Sequence, residues 1–360
     1  MPERRYSARH WLGVALIAAA LLLLPFVLAT VGQTWVRVVN LALLYVMLAL
    51  GLNIVVGFAG LLDLGYIAFY AVGAYAYALL ASPHFGLHLP FWVTLPAGFV
   101  LAALFGVLLG APTLKLRGDY LAIVTLGFGE IIRIFMNNLN APVNITNGPQ
   151  GINLIDPLKI GDWSLAKNEV IAGLAVSGPM KYYYPLMLLT LAIIVLNLRL
   201  QNSRIGRAWE AIREDETAAR AMGINTRNIK LLAFAMGASF GGLAGGLFAS
   251  IQGFISPESF GLMESVMVLS MVVLGGMGHI PGVILGAVLL TGLPEVIRFT
   301  VVPAQQALFG KVLVDPEAIR MLVFGLALVL VMILRPGGLW PSAVRKRELS
   351  ERQGQALPAP

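Results

Sequence analysis

The stretch VVNLALLYVMLALGLNIVV, residues 38–56, decides the class of fold, because it contains no Asp, Glu, Lys or Arg. An α-helix rises about 1.5 Å per residue, so a helix of this length crosses the roughly 30 Å hydrocarbon core of a bilayer. The stretch therefore predicts a transmembrane helix.

The composition of the whole chain agrees with this prediction. Of its 360 residues, 58% are apolar and 12% are charged, whereas a soluble domain carries roughly 25% charged residues. The chain contains no cysteine, which excludes a disulfide scaffold, a thiolate metal site and a cysteine nucleophile. These observations predict an all-α integral membrane protein.

Working outward from the first stretch, we find about ten segments that are long and apolar enough to cross a membrane. The candidate spans are 11–30, 38–56, 64–81, 90–110, 119–136, 182–199, 231–251, 263–280, 281–297 and 319–335. The first follows three arginines and lacks a cleavage site, so it is interpreted as a retained signal anchor. Glycine-rich stretches precede the spans at 64–81 and 281–297, and these two are the candidates for broken or re-entrant segments.

The distribution of basic residues orients the chain. With ten crossings, 17 of the 25 Lys and Arg residues fall on one side and seven on the other, with Arg133 inside a span. Basic residues accumulate on the cytoplasmic side of membrane proteins. Both termini are therefore predicted to be cytoplasmic, in a multi-pass membrane protein.

The predicted organisation is one membrane domain with little material outside the bilayer. Residues 1–10 form a cytoplasmic N-terminus, 11–335 the transmembrane domain, and 336–360 a cytoplasmic tail. The external loop 137–181 can hold a short helix or hairpin but not a domain with its own core. The longest cytoplasmic loop is 200–230.

Signatures of enzymes are missing from the sequence. It contains no HExxH or GxSxG pattern and no P-loop. His84 and His88 have ligand-like spacing, but they lie in a Pro- and Gly-containing loop without a carboxylate. We therefore predict no catalytic residue and no metal site, and favour a permease over an intramembrane enzyme.

Polar residues inside or beside the spans are candidates for a transport pathway. Glu130 and Arg133 lie three apart on one helical face, so they should pair or face a wet cavity. Both lie in the outer half of their span, which leaves a snorkelling pair and a pathway role open. Asp63 and Glu264 lie near the starts of the third and eighth spans, where an N-cap role for Asp63 is the favoured interpretation.

A glycine seam runs through residues 235–250, AMGASFGGLAGGLFAS, and includes Gly241 and Gly245. Small residues at this spacing let two helix backbones approach closely in lipid. The seam is interpreted either as a subunit or gate interface or as ordinary packing within the bundle.

A weak internal repeat suggests two halves of five spans each. GFAGLLDLGYIAF (57–69) follows the second span, and QGFISPESFGLME (252–264) follows the seventh. An odd number of spans per half would make the repeats inverted, an arrangement in which interrupted helices form a site at mid-membrane.

The cytoplasmic loop 200–230 shows the signals of a short helix. Glu216 and Arg220 form a favourable i, i+4 pair, and Gly223 is placed to end the helix in the left-handed conformation. The loop is either a solvated basic linker or a rigid lever that a cytoplasmic motor subunit can move.

GRAWEAIREDETAARAMGI (206–224) resembles the coupling loop of ABC-importer permeases, specifically the LivM-type branched-chain amino acid permeases. The resemblance covers most of residues 40–341. Its other motifs are LKLRGDYLAIVTLGFGEIIRI (114–134), TNGPQGI (146–152), KLLAF (230–234), QGFISPESF (252–260), VVLGGMG (272–278) and RPGGLWP (335–341). Glu210-Ala211-Ile212 departs mildly from the usual pattern, in which a second alanine is common.

The resemblance implies an ABC-importer permease fold that forms the translocation pathway for leucine, isoleucine or valine. It implies a homologous LivH-type second permease, two cytoplasmic ATPases and a periplasmic or lipid-anchored binding protein. This chain would bind no cofactor, since ATP and Mg would reside on the ATPases. The residues implied to contact an ATPase are Glu210, Ala211, Arg213, Glu214, Glu216 and Gly223.

Two alternatives remain open from the sequence. Related permeases for urea or short amides share much of the pattern. An ion-coupled secondary transporter would need a carboxylate near the membrane midplane, for which only Glu130 is a candidate.

Overall fold

The structure is a computed structural model that describes residues 8–113, 116, 118–161, 163–171, 174–311, 315–335 and 337–340. Most of the predicted N-terminal segment 1–10 and of the tail 336–360 lies outside the described residues. So do Lys115 and Arg117 of the basic-residue count.

Within these ranges the chain forms twelve α-helices. They are α1 (Ala8–Val31), α2 (Gln33–Leu52), α3 (Ile67–Leu80), α4 (Phe91–Thr113), α5 (Asp119–Asn138), α6 (Gly178–Gln201), α7 (Arg204–Glu214), α8 (Glu216–Ala221), α9 (Thr226–Gln252), α10 (Leu262–Gly275), α11 (Ile280–Phe309) and α12 (Pro316–Leu334). A π-helix, Asn53–Phe58, extends α2, and short 3₁₀ helices cover Gly148–Gln150 and Pro257–Phe260.

Each of the ten predicted spans overlaps one of the ten helices other than α7 and α8. Six helices in the described ranges are long and apolar enough to cross a membrane by themselves, and α3 and part of α1 are shorter apolar helices. The predicted class, an all-α multi-pass membrane protein, is confirmed.

Two of the α-helices are by themselves shorter than the hydrocarbon core of the bilayer. α3 and α10 have 14 residues each, or about 21 Å against roughly 30 Å. The prediction of an interrupted span at 64–81 is thus confirmed, but that at 281–297 is wrong, because α11 is continuous over 30 residues. α10 belongs to the span at 263–280, and together with the 3₁₀ helix before it, Pro257–Phe260, it forms one of the six candidate spans, Pro257–Gly275.

The two short helices occupy equivalent places in the two halves of the chain. α3 is the third helix of the group α1–α5, and α10 is the third of the group formed by α6 and α9–α12. Their N-termini meet, since the backbone N–H of Ile67 donates to Ser265 Oγ over 3.2 Å. This layout agrees with the predicted pair of inverted halves, in which interrupted helices meet inside the membrane.

The glycine seam of α9 lies in the centre of the bundle. Gly241 faces Tyr66 and Phe69 of α3, while Gly245 faces the α3 backbone at Tyr70. Both glycines are buried within this chain. The interpretation of the seam as a subunit interface is therefore wrong, and the seam instead lets α3 approach α9 closely.

The external loop holds short antiparallel strand pairs, as its length predicted. β2 (Lys159–Ile160) pairs with β3 (Trp163–Ser164), and β4 (Glu169–Ile171) pairs with β5 (Leu174–Val176). β1 (Ile152–Asn153) pairs with β6 (Phe254–Ile255), which follows α9. This last pair connects the loop by backbone hydrogen bonds to the segment between α9 and α10.

An ion pair outside the membrane predicts a pH dependence of this loop. Lys181 Nζ is buried 2.8 Å from Glu169 Oε2, which also accepts from Trp163 Nε1. Lys181, and then Trp163, hold the pKa of the Glu169 carboxyl below its ordinary value of 4.5. A lowered pKa adds stability above the ordinary value, and this is lost as pH falls through the folded-state pKa.

We therefore expect the protection factors of the amide hydrogens in β4 and β5, which correct the exchange rates for the intrinsic pH dependence of amide exchange, to stay constant from neutral pH down to the ordinary carboxyl pKa and to decrease below it. Glu169→Gln should remove this step. A step of the same size in that variant would contradict the assignment.

Candidate functional site

The predicted cytoplasmic helix is two helices with a break at Asp215. Asp215 has extended backbone geometry (φ −151°, ψ 108°), and its Oδ1 accepts from the N–H groups of Thr217 and Ala218 at 2.7 and 3.0 Å. The prediction of one continuous helix is therefore wrong, because Asp215 caps a new helix. Gly223 has φ +84°, as predicted for a left-handed end of α8. We call α7 and α8 together the cytoplasmic elbow, after the side of the membrane on which the sequence predicts them.

The cytoplasmic elbow is held against the start of α9 by a hydrogen bond and an ion pair. The Trp209 ring is fully buried, and its Nε1 donates to Ile229 O over 2.8 Å. Lys230 Nζ is nearly buried and lies 2.7 Å from Glu216 Oε2, while Arg220 pairs with Glu216 Oε1 at 3.1 Å. These contacts make the elbow rigid relative to α9. Only one of them, the Glu216–Arg220 pair, was predicted from the sequence.

Arg213 connects the cytoplasmic elbow to the membrane domain. Its guanidinium donates to Gly57 O, at the end of the π-helix, over 2.6 Å. In the same region the N–H of Gly278, in the turn between α10 and α11, donates to Asn53 Oδ1 over 2.8 Å. These two hydrogen bonds connect α7 to the π-helix that extends α2, and the π-helix to the turn that follows α10.

The outer face of the elbow is exposed. It carries Glu210, Glu214 and Gly223, and ends in Met222, which is 84% exposed. Ala211 and Arg213 are partly buried towards the membrane domain. Of the six predicted contact residues, Glu210, Glu214 and Gly223 are therefore exposed, while Ala211, Arg213 and Glu216 are partly buried.

Glu264 lies in the first turn of α10, as its predicted place near the start of the eighth span requires. Its Oε2 accepts from the hydroxyl of Tyr45, at the middle of α2, over 2.8 Å. In the described part of the chain no Lys, Arg or His lies within ion-pair distance of this carboxylate. The first turn of a helix favours negative charge, so this position suits a carboxylate.

The place of Glu264 near the start of its helix was predicted, but its contact with Tyr45 was not. The contact with Tyr45 joins residues 219 positions apart, and neither residue alone signals it.

Asp63 is buried in the non-helical segment 59–66 that precedes α3. Its Oδ1 accepts from Gly65 N over 2.9 Å, and the neighbouring Leu64 N–H donates to Thr125 Oγ1 over 3.0 Å. The N-cap position of α3 is occupied by Tyr66, so the N-cap interpretation of Asp63 is wrong. Asp63 shapes the segment that lies against α5.

Glu130 and Arg133 pair with each other, as predicted, and Glu258 joins them. The Arg133 side chain donates to both Glu130 oxygens and also lies 2.9 Å from Glu258 Oε2. Glu130 and Glu258 are 40% and 62% exposed, although they lie on a membrane helix and on the segment beside it. Because exposed charges are costly in lipid, this face is directed to water or to another subunit.

Comparisons with known proteins agree with this architecture. A family profile described as "Branched-chain amino acid transport system / permease component" matches residues 34–332. The permease LivM of Escherichia coli K12 is 44% identical over 339 residues, which are 91% of this chain and 74% of that protein. The chain belongs to the branched-chain amino acid transport permease family.

More distant relatives belong to the same group. The permease LivH of Salmonella typhimurium is 26% identical over 70% of this chain and 81% of its own length. A probable LivM permease of Methanocaldococcus jannaschii is 27% identical over 76% of this chain and 74% of its own length. No solved structure matches the chain.

Membership of this family makes the chain a permease component of a transport system, and so a membrane-embedded subunit rather than an enzyme. The similarity to both LivM and LivH relatives implies a second, homologous permease beside it.

Proposed function

We propose that this chain forms part of the translocation pathway of an ATP-driven ABC importer in the bacterial inner membrane. The observation that carries the proposal is the cytoplasmic elbow, which is exposed on its outer face and connected through Arg213 to the end of α2. An element that is rigid, exposed and linked to the spans can convert movement of a cytoplasmic partner into movement of the pathway.

The partners in this proposal are two cytoplasmic ATPases, a homologous second permease, and a periplasmic or lipid-anchored binding protein. ATP and Mg bind to the ATPases, and this chain binds no cofactor. The exposed Glu210, Glu214 and Met222 are the contacts offered to an ATPase.

The proposed substrates are leucine, isoleucine and valine. The support is the 44% identity to a permease named for high-affinity branched-chain amino acid transport. Urea and short amides are the alternative substrate class, and an ion-coupled transporter is the alternative mechanism, for which Glu264 is the relevant carboxylate.

A reconstitution experiment separates these proposals. The complex of this chain with the second permease, the two ATPases and the binding protein should accumulate radiolabelled leucine in proteoliposomes only with ATP, and should not accumulate labelled urea or acetamide. Leucine uptake by this chain alone, driven by a proton gradient, would contradict the ATP-driven mechanism.

Charge reversal on the elbow provides a more local test. Glu214→Arg should abolish ATP-driven uptake while leaving the chain in the membrane, because the side chain is exposed and makes no contact that folding needs. Gly223→Pro should do the same, since proline cannot adopt φ +84°. Undiminished uptake at normal membrane levels of either variant would refute the coupling role.

A further inference from the structure

A cavity of about 350 Å³ opens near the outer ends of α2, α6 and α9. Arg37 and Asn40 of α2 lie at its wall, and its apolar lining includes Leu41, Leu44, Phe248 and Ile251. Small-molecule sites are typically about 300–1,000 Å³ and mostly apolar, with a few placed polar groups. The cavity meets this description on the side of the membrane from which an importer receives its substrate.

Asn40 carries an unused acceptor at this cavity. The side chain is 4% exposed, and its Nδ2 donates to Pro179 O over 2.7 Å, which fixes the orientation of the amide. Its Oδ1 is buried, and the residues of the described ranges provide no partner for it. Buried acceptors are normally satisfied in native proteins, so this oxygen points to a donor that the chain itself does not supply.

The cavity wall that contains Arg37 and Asn40 favours a negatively charged group of a ligand. Arg37 is exposed, and within the described parts of the chain it pairs with no carboxylate. Gly178 and Pro179, the first residues of α6, also line the cavity, but the N–H of Gly178 already donates to Asn168 Oδ1 over 2.9 Å and proline has no N–H, so Arg37 supplies the positive charge at this wall. Arg37 and Asn40 are three residues apart and so lie side by side on α2.

We propose that this cavity binds the branched-chain amino acid as it enters the permease. The carboxylate contacts Arg37, the ammonium group donates to Asn40 Oδ1, and the aliphatic side chain contacts Leu44, Phe248 and Ile251. This proposal rests on the proposed function, because it assigns a site to the amino acid that the importer carries.

The aromatic residues below the cavity are placed to close it towards the cytoplasm. The Phe248 ring lies 5.4 Å from the Tyr70 ring, which lies 5.4 Å from that of Phe260. A substrate in the cavity is thus separated from the meeting point of α3 and α10 by one layer of aromatic side chains.

The test uses the assembled complex in proteoliposomes, with leucine and alanine uptake as readouts. Arg37→Gln should lower leucine uptake roughly tenfold, the value of a hydrogen bond to a charged group. Arg37→Lys should retain more uptake than Arg37→Gln, because it keeps the charge. Arg298→Gln, which removes an exposed arginine of α11, is the matched control and should leave uptake unchanged.

A second variant fills the cavity. Leu44→Trp should slow leucine uptake more than alanine uptake, because the larger substrate needs the lost volume. Leu196→Trp, on the exposed face of α6, is its control. Capture of both ATPases by each variant shows that the complex has assembled. If Leu44→Trp does not assemble, the comparison of Arg37→Gln with Arg37→Lys tests the proposed site.

Unchanged leucine uptake in an assembled Arg37→Gln or Leu44→Trp complex would overturn the proposed site and leave the cavity as a space for lipid chains. Equal losses in Arg37→Lys and Arg37→Gln would contradict the carboxylate contact. If the unmodified complex carries urea but no leucine, the proposed function fails instead.

Discussion

Arg213→Ala should abolish most ATP-driven leucine uptake without preventing assembly of the transporter. The guanidinium is the hydrogen-bonding contact between α7 and Gly57 O, at 2.6 Å. A hydrogen bond to a charged group contributes about 1.5–3 kcal/mol, which corresponds to roughly tenfold or more in a rate that depends on it. Movement of the elbow would then no longer displace the end of α2.

Uptake and ATP hydrolysis should be measured on the same preparation. We expect the variant to hydrolyse ATP while importing little leucine, since the exposed face of the elbow is unchanged. Arg207→Ala is the matched control, because Arg207 lies on the same helix and its guanidinium donates to Asn202 O in the adjoining turn. Wild-type uptake by Arg213→Ala, or an equal loss in Arg207→Ala, would contradict the linkage.

Gly73→Ala should destabilise the membrane domain strongly. α3 crosses α9 at this residue, and a methyl group placed there would overlap the backbone of Gly242. α4 reaches the same point, since a methyl group on Gly98 would lie only 3.2 Å from Gly73 O. Overpacking of this kind costs about 1–3 kcal/mol and more where backbone cannot move.

The measurement is the midpoint temperature of thermal unfolding in detergent, together with the yield of monodisperse protein. Gly292→Ala in α11 introduces the same methyl group with no atom within 4 Å, and it should leave both quantities unchanged. Equal behaviour of the two variants would show that the α3–α9 contact is looser than the structure indicates.

The positions of the spans could be predicted from the sequence because lipid imposes a simple requirement of about 20 apolar residues on each helix. The end of α8 was also predictable, since Gly223 is a local signal. The break at Asp215 carried a local signal as well, because aspartate is a typical N-cap residue. Its side chain can accept from the N–H three residues later, here that of Ala218.

The interior of the membrane domain could not be predicted in the same way. The short length of α10 depends on Gly253, Pro257 and Gly261, which lie within an otherwise apolar stretch. A mean hydropathy taken over a whole span does not register such single residues. The hydrogen bond of Glu264 depends on a contact with α2, and the role of Gly241 depends on which helix faces it. These features depend on how segments that are distant in the sequence pack together.

The most direct test of the central claim asks whether the cytoplasmic elbow is where the ATPases bind. The chain has no cysteine, so Met222→Cys introduces a single thiol at an 84% exposed position. Leu87→Cys, in the exposed loop between α3 and α4, is the external control.

A membrane-impermeant maleimide should label position 222 only in inside-out vesicles, and assembly with the ATPases should protect it. The same reagent should label position 87 only from outside, whether or not the ATPases are present. Labelling of position 222 from outside, or equal labelling with and without the ATPases, would contradict the account.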